Sequence, residues 1–167
     1  MSTSRSKEEI LALFLSGAER LETALAGLSA VDLDLTDKPG EWTIRQMVHH
    51  VADDGDAWSM PLKKAIATSG ALIRFEGFPG NDAWATAMAF DKRDITHSLA
   101  LIKAHRQVMA ELAGYFIDAW DSRYIVIVDG QGQEVQKVTV GQIVNMVTEH
   151  LFEHVEAIED IKRKHGI

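Results

Sequence analysis

The 167-residue sequence is 46% hydrophobic and carries a formal net charge of −8, from 25 acidic and 17 basic side chains. This length and hydrophobic content suffice for one core, so we expect a single domain over residues 1–167. Because a phosphate backbone is bound by clustered Lys and Arg, and no such cluster occurs, we expect no nucleic-acid partner. The absence of cysteine excludes disulfides, thiolate metal ligands and a cysteine nucleophile of the chain's own.

Sequence features of secretion and membrane insertion are also missing. Residues 1–9 are polar and lack the apolar run of a secretory signal. No apolar stretch approaches the roughly 20 residues needed to span a bilayer. We therefore expect a cytoplasmic protein without a membrane partner.

Apolar periodicity and capping residues predict two long helices in the first half of the chain. Apolar residues recur every three or four positions from about Lys7 to Leu28, which predicts the first helix. Thr43 and Gln46 have the spacing of a capping box, in which two otherwise unpaired backbone N–H groups are satisfied. We expect the second helix to begin there and to end near Gly70.

The middle of the chain is less regular. Pro61 lacks a backbone N–H and should kink or loosen the second helix. Residues 71–90 combine aromatic side chains with glycine and proline, which predicts a loop with a short helix. An apolar row from Asp94 to about Ala119 then predicts the third long helix.

The spacing of apolar residues in the last part of the chain changes twice, from helix-like to strand-like and back. Tyr124–Val128 and Glu134–Val138 are β-prone runs separated by Asp-Gly-Gln-Gly, which predicts a β-hairpin. A second capping box, Thr139 and Gln142, opens the last helix, which should continue to about Lys164. Since four amphipathic helices must cover one another's apolar faces, the predicted fold class is all-α: a four-helix bundle with a short β-hairpin before the last helix.

Two histidines of the last helix are candidate metal ligands. His150 and His154 are four residues apart, so both imidazoles project from one helix face. They occupy positions where the apolar row predicts core side chains, and burying paired imidazoles without partners is costly. A metal ion would satisfy both, although a pair at this spacing also arises by chance.

His50 provides a third candidate ligand from the second helix. It lies on the apolar row of that helix, at a depth from which it could face the last helix. The neighbouring His49 is the competitor, but it projects about a hundred degrees away and is expected at the surface. Three imidazoles leave a coordination position open, which suits catalysis. We expect His105 to be a hydrogen-bonded core residue rather than a fourth ligand.

Two carboxylates and a group of aromatic residues are candidates for other roles. Asp54, one turn after His50, could accept an imidazole N–H or act as a base, and Glu153 could assist a bound water. Both could instead be ordinary polar side chains. Several aromatics could line an apolar substrate cavity, although core packing is their commoner use: Trp42, Trp58, Phe75, Phe78 and Trp84.

The segments that carry these histidines resemble the DinB/YfiT-like superfamily. Residues 41–53, Glu-Trp-Thr-Ile-Arg-Gln-Met-Val-His-His-Val-Ala-Asp, resemble that family's W-(S/T)-x-(R/K)-(E/Q)-x-x-x-H-(L/V)-A-D motif, whose spacing selects His50. Residues 149–154 resemble the H-x-x-x-H of its last helix. The resemblance implies an up-down-down-up four-helix bundle, often a homodimer, that holds Ni²⁺ or Zn²⁺ through His50, His150 and His154. The Asp54-Gly55 pair departs from the sequence that follows the motif in close relatives.

Three functions are compatible with this sequence. Family members that use bacillithiol or mycothiol imply a metal-dependent thiol S-transferase, in which the metal activates a low-molecular-weight thiol cosubstrate toward a small-molecule substrate. The first alternative is a metal-dependent hydrolase using metal-activated water, with Glu153 or Asp54 as base. The second is a non-enzymatic metal-binding or stress-response bundle with a helix-pair dimer face. Whether the protein is an enzyme is therefore left open by the sequence.

Overall fold

The computed structural model describes residues 5–167, which form five α-helices and a small sheet. The helices are α1 (Lys7–Leu25), α2 (Ile44–Ala67), α3 (Asn81–Ala87), α4 (Thr96–Tyr115) and α5 (Val140–His165). The strands are β1 (Ala71–Ile73), β2 (Tyr124–Val128) and β3 (Glu134–Thr139). The four long helices α1, α2, α4 and α5 make up the bundle, which confirms the predicted fold class.

Three of the bundle helices begin at a capping box. In each, the N-cap side chain accepts a hydrogen bond from the backbone N–H three residues later, and the side chain at that later position accepts one from the N-cap N–H. The pairs are Ser6 with Glu9, Thr43 with Gln46, and Thr139 with Gln142. The predicted starts of α2 and α5 are thereby confirmed.

The ends of the helices lie within a few residues of the predicted positions. α1 ends at Leu25 rather than Leu28, and α2 continues through Pro61 to Ala67. α4 gives way after Tyr115 to a single 3₁₀ turn, Ile117–Ala119. Within residues 5–167, no helix combines the length and the apolar character required to cross a bilayer.

The sheet is larger than the predicted hairpin. The hairpin itself is confirmed, because β2 pairs antiparallel with β3. β1 adds a third strand, parallel to β2. The segment predicted as a loop with a short helix thus contains that helix, α3, and also a strand that was not predicted. A strand of three residues is too short to show an alternating pattern, so only its pairing with β2 defines it.

The core consists of two clusters of buried apolar side chains. α1 contacts α4 and α5, and α2 contacts the same two helices. One cluster contains Val147 of α5 together with Trp120 and the sheet residue Ile125. The other contains Leu151 of α5 and Val51 of α2. His150 therefore lies on α5 between the residues that belong to the two clusters.

Candidate metal centre

Three imidazole nitrogens converge where α2 faces α5. The Nε2 atoms of His50 and His154 each lie 3.1 Å from Nε2 of His150. One ligand atom from each of the three residues lies within 4.8 Å of the others. The four-residue spacing on α5 places His150 and His154 on one face, as expected, and the packing of α2 against α5 brings His50 to them.

This set of nitrogen atoms fits a divalent transition-metal ion. Ligand nitrogens at about 2.0–2.1 Å from a tetrahedral zinc ion lie roughly 3.3 Å from one another, close to the 3.1 Å separations observed. Imidazole suits nickel, zinc, copper and iron. Nitrogen lone pairs that face one another repel unless a proton or a cation lies between them. The spacing is therefore compatible with a metal ion at the point of convergence.

Asp54 fixes the orientation of the central ring. Its Oδ2 lies 3.0 Å from Nδ1 of His150, and its side chain is only 19% exposed. When Nδ1–H donates to the carboxylate, the neutral form of His150 carries its lone pair on Nε2, the atom that faces the point of convergence. The sequence placed Asp54 one turn from His50, but its partner is a histidine of the opposite helix.

The protonation states of the three rings differ. The hydrogen bond to Asp54 raises the pKa of His150 above its ordinary value. Burial, and then the neighbouring His150, lowers the pKa of His50 and lowers that of His154 to about 4. Since imidazole must be neutral to bind a metal, His50 and His154 are already in the required form at neutral pH.

Glu153 is exposed on α5 and lines the cleft outside the histidine cluster. This exposure agrees with the interpretation of Glu153 as an ordinary solvated carboxylate. Its role as a base remains a prediction.

His49 is not at the surface, so that prediction was wrong. The ring is 0% exposed and its Nδ1 and Nε2 lie 2.8 Å from Oγ of Ser98 and 3.2 Å from the carbonyl oxygen of Arg93. Because the carbonyl can only accept, Nε2 carries the proton and the Ser98 hydroxyl donates to Nδ1. α2 packs against α4 as well as α5, so its buried surface is wider than the single apolar row in its sequence.

His105 lies outside the metal cluster, as expected, but it is half-buried rather than a core residue. Its Nε2 lies 2.9 Å from Oδ1 of Asp56. Its Nδ1 is buried without a hydrogen-bond partner among the described residues, and a Cβ added at Gly55 would come within 2.6 Å of it. Glycine at position 55 thus permits α4 to approach α2 closely where His105 contacts α2.

Arg106 is a buried residue near the site that sequence reasoning missed. It is 4% exposed and donates hydrogen bonds of 3.0 and 2.7 Å to the carbonyl oxygens of Phe14 and Val147. Burial lowers its pKa to about 10, while attraction to the Asp54 carboxylate opposes that shift. A single arginine on an otherwise apolar helix row was the available signal.

Two clefts open onto the histidine cluster. The larger, of about 930 Å³, has many polar side chains in its wall, among them Gln142, Asn145, Glu149 and Glu153. The smaller, of about 460 Å³, is walled largely by aromatic rings. Both clefts are lined by His50, Asp54, Trp58 and Asn81.

The sequence model of the DinB superfamily matches residues 13–158, a span that includes all three converging histidines. This chain belongs to the DinB superfamily. A relative from Bacillus pumilus (strain SAFR-032), named "Putative metal-dependent hydrolase", is 28% identical over 159 residues, which cover 93% of this chain and 88% of the relative. A Bacillus licheniformis (strain ATCC 14580) protein with the same descriptive name is 28% identical over 138 residues, covering 82% of this chain and 76% of that protein.

Solved structures agree with the DinB fold. YfiT from Bacillus subtilis, described as a probable metal-dependent hydrolase with an unusual four-helix bundle topology, superposes with a TM-score of 0.82 at 22% identity, over 99% of this chain and 93% of that one. A mycothiol-dependent maleylpyruvate isomerase superposes with a TM-score of 0.59 at 18% identity, over 92% of this chain and 61% of that one. At these identities the similarity shows the shared fold alone.

Proposed function

We propose that this DinB-superfamily protein binds one divalent transition-metal ion, Ni²⁺ or Zn²⁺, through Nε2 of His50, His150 and His154. The observation that supports the proposal is the convergence of these three nitrogens, with Asp54 holding the central ring in the tautomer that coordination needs. The names of the Bacillus relatives support a metal-dependent activity. The homodimer and the cytoplasmic location remain predictions.

The reaction we propose is thiol S-transfer to a small-molecule substrate. When bound, the ion supplies a Lewis acid that favours the thiolate form of a low-molecular-weight thiol. The chain has no cysteine, so this thiol has to come from solution. The 930 Å³ cleft gives it room, and Gln142 and Asn145 offer hydrogen-bond donors and acceptors in its wall.

Hydrolysis with metal-activated water is the second candidate, and the names of the curated relatives favour it. The base would be Asp54 or Glu153. One oxygen of Asp54 is engaged with His150, whereas Glu153 is exposed and would have to turn inward from the rim of the cleft. These positions favour a nucleophile that needs no base from the protein, and a thiol activated by the metal is such a nucleophile.

Elemental analysis of protein purified without a histidine tag tests the metal site, and about one ion per chain is expected. Metal-loaded and chelator-treated protein are then assayed on an electrophile with and without added thiol. Turnover that requires both metal and thiol supports S-transfer, and metal-dependent turnover without thiol supports hydrolysis. A bound metal with neither activity supports the non-enzymatic bundle. Protein that binds no ion from zinc or nickel solutions contradicts the site itself.

A further inference from the structure

The smaller cleft beside the histidine cluster has an unusual wall, and we call it the aromatic recess. It is formed by Trp58 of α2, Phe75 and Phe78 of the connection between β1 and α3, and Trp84 of α3. The ring centroids of Trp58 and Phe75 lie 5.6 Å apart, and those of Phe78 and Trp84 lie 5.9 Å apart. Phe75 and Phe78 are nevertheless 47% and 53% exposed. Apolar rings left in contact with water around a concave surface are typical of a ligand site.

Hydrogen bonds hold one side of the aromatic recess in place. The indole Nε1 of Trp84 donates to Oδ2 of Asp53 at 2.7 Å, which ties α3 to α2. The indole Nε1 of Trp42 donates to Oδ1 of Asp82, also at 2.7 Å, and so ties α3 to the residue before the N-cap of α2. Since both bonds fix α3, the Trp84 wall of the recess is preorganised in the free protein.

The charges around the aromatic recess disfavour an ionic ligand. Its lining, drawn from the described residues 5–167, includes Asp53, Asp54 and Glu76 but no lysine or arginine. A carboxylate or phosphate group would meet this acidic wall without a cation to pair with. Ion pairing with a ligand cation would have to compete with the hydrogen bonds that the two aspartates already accept and with the pairing of Glu76 with Arg74 at 2.8 Å. A neutral group avoids both costs.

We propose that the aromatic recess binds a neutral, aromatic-sized apolar group of the substrate. The proposal rests on the proposed function, because it places this group beside His50 and Asp54, which line both clefts. The polar cosubstrate then occupies the larger cleft and the apolar electrophile occupies the recess. For an aryl chloride, the thiolate sulfur forms a carbon–sulfur bond as the carbon–chlorine bond breaks, chloride leaves, and the thiol proton goes to solvent.

The binding experiment uses 2-naphthol and 2-naphthoate, which share a ring system but differ in charge. Equilibrium dialysis is done on chelator-treated protein, so that the carboxylate cannot bind a metal ion. We expect 2-naphthol to bind about tenfold or more tightly than 2-naphthoate. Equal binding of the two, tighter binding of the naphthoate, or no binding of 2-naphthol overturns the proposal.

Two pairs of variants locate the bound ligand. Ala57→Phe fills the recess, which Ala57 lines, whereas Ala104→Phe places the same ring at an exposed position of α4. Phe78→Ala removes a ring of the recess, and its control is Tyr115→Ala, because that ring is 84% exposed at the end of α4. We expect the first member of each pair to weaken 2-naphthol binding, by about tenfold for Ala57→Phe, and each control to bind like the parent. Unchanged binding by both Ala57→Phe and Phe78→Ala overturns the proposal.

Metal content and turnover of 1-chloro-2,4-dinitrobenzene with thiol separate this proposal from the proposed function. Ala57→Phe should keep its metal, because Ala57 lies outside the converging histidines, and should raise KM for this neutral electrophile. Metal-dependent turnover that Ala57→Phe leaves unchanged would count against the recess while the proposed function stands. Binding of 2-naphthol with the expected selectivity by a protein that never holds a metal would count against the proposed function while the recess stands.

Discussion

His49 and His50 are consecutive residues of α2, yet they belong to different regions of the molecule. His49 is fully buried against α4, and both of its ring nitrogens are paired, with Ser98 and with the carbonyl of Arg93. His50 is only partly buried and faces α5, where its Nε2 meets that of His150. Burial alone therefore does not mark a histidine as a ligand. The candidate ligand set is recognised because its three Nε2 atoms face one another where α2 packs on α5.

The largest effect on metal binding should come from removing His150, the central histidine of the cluster. His150 contacts both other histidines, so His150→Ala should reduce retained metal to below about a tenth of the parent value, as measured by elemental analysis after dialysis. The matched control is His165→Ala, which removes an exposed histidine near the end of α5 and should leave metal content unchanged. Parental metal content in His150→Ala would mean that the cluster is not the site.

A smaller loss of metal affinity is expected when Asp54, the carboxylate that orients the His150 ring, is changed. Asp54→Asn removes the charge that holds Nδ1 of His150 protonated, and the amide can donate to Nδ1 instead, which favours the wrong tautomer. We expect metal affinity to fall about 10- to 100-fold, measured by chelator competition. Asp56→Asn is the control, because Asp56 pairs with His105 outside the cluster. Equal affinities in the two variants would contradict the positioning role of Asp54.

A substitution where His49 of α2 packs against α4 should change the free energy of unfolding rather than metal binding. Ser98→Ala leaves Nδ1 of His49 unpaired in the core and should lower the free energy of unfolding by about 1–3 kcal/mol in urea titrations. Metal content should remain parental. The exposed Ser122→Ala is the control, with little expected change in stability. Loss of metal in Ser98→Ala would contradict the separation of His49, which packs against α4, from the histidine cluster that faces α5.

The smallest expected effect is a pH dependence of the metal-free protein. Burial lowers the pKa of His154 from 6.5 to about 4, so its contribution to stability is complete above pH 6.5 and is lost as pH falls toward 4. The raised pKa of His150 acts in the opposite direction, giving stability below pH 6.5 that is lost as pH rises through its folded-state pKa.

Urea unfolding of chelator-treated His154→Gln measures the first of these contributions. Compared with the parent, the variant should lose less stability between pH 7 and pH 5.5, by about 1 kcal/mol. His97→Gln, at an exposed position of α4, is the matched control substitution. An identical pH dependence in parent and His154→Gln would show that His154 titrates normally in the folded protein.

Local signals were sufficient for the helices and for part of the site. The capping boxes at Thr43 and Thr139 lie within single turns of the chain, so the starts of α2 and α5 follow from sequence. The pairing of His150 with His154 is equally local, since helix geometry places residues four apart on one face. Selection of His50 over His49 required the family resemblance in addition to the apolar row.

Only the tertiary structure decided what α2 and α4 present to their neighbours. α2 packs on both α4 and α5, which buries His49 on one side and turns His50 to the site on the other. The same packing carries Asp54 to His150 across the helix interface, and β1 exists through its pairing with β2. These features depend on how separate helices and strands dock, and an apolar period reports only the single face that each helix buries most strongly.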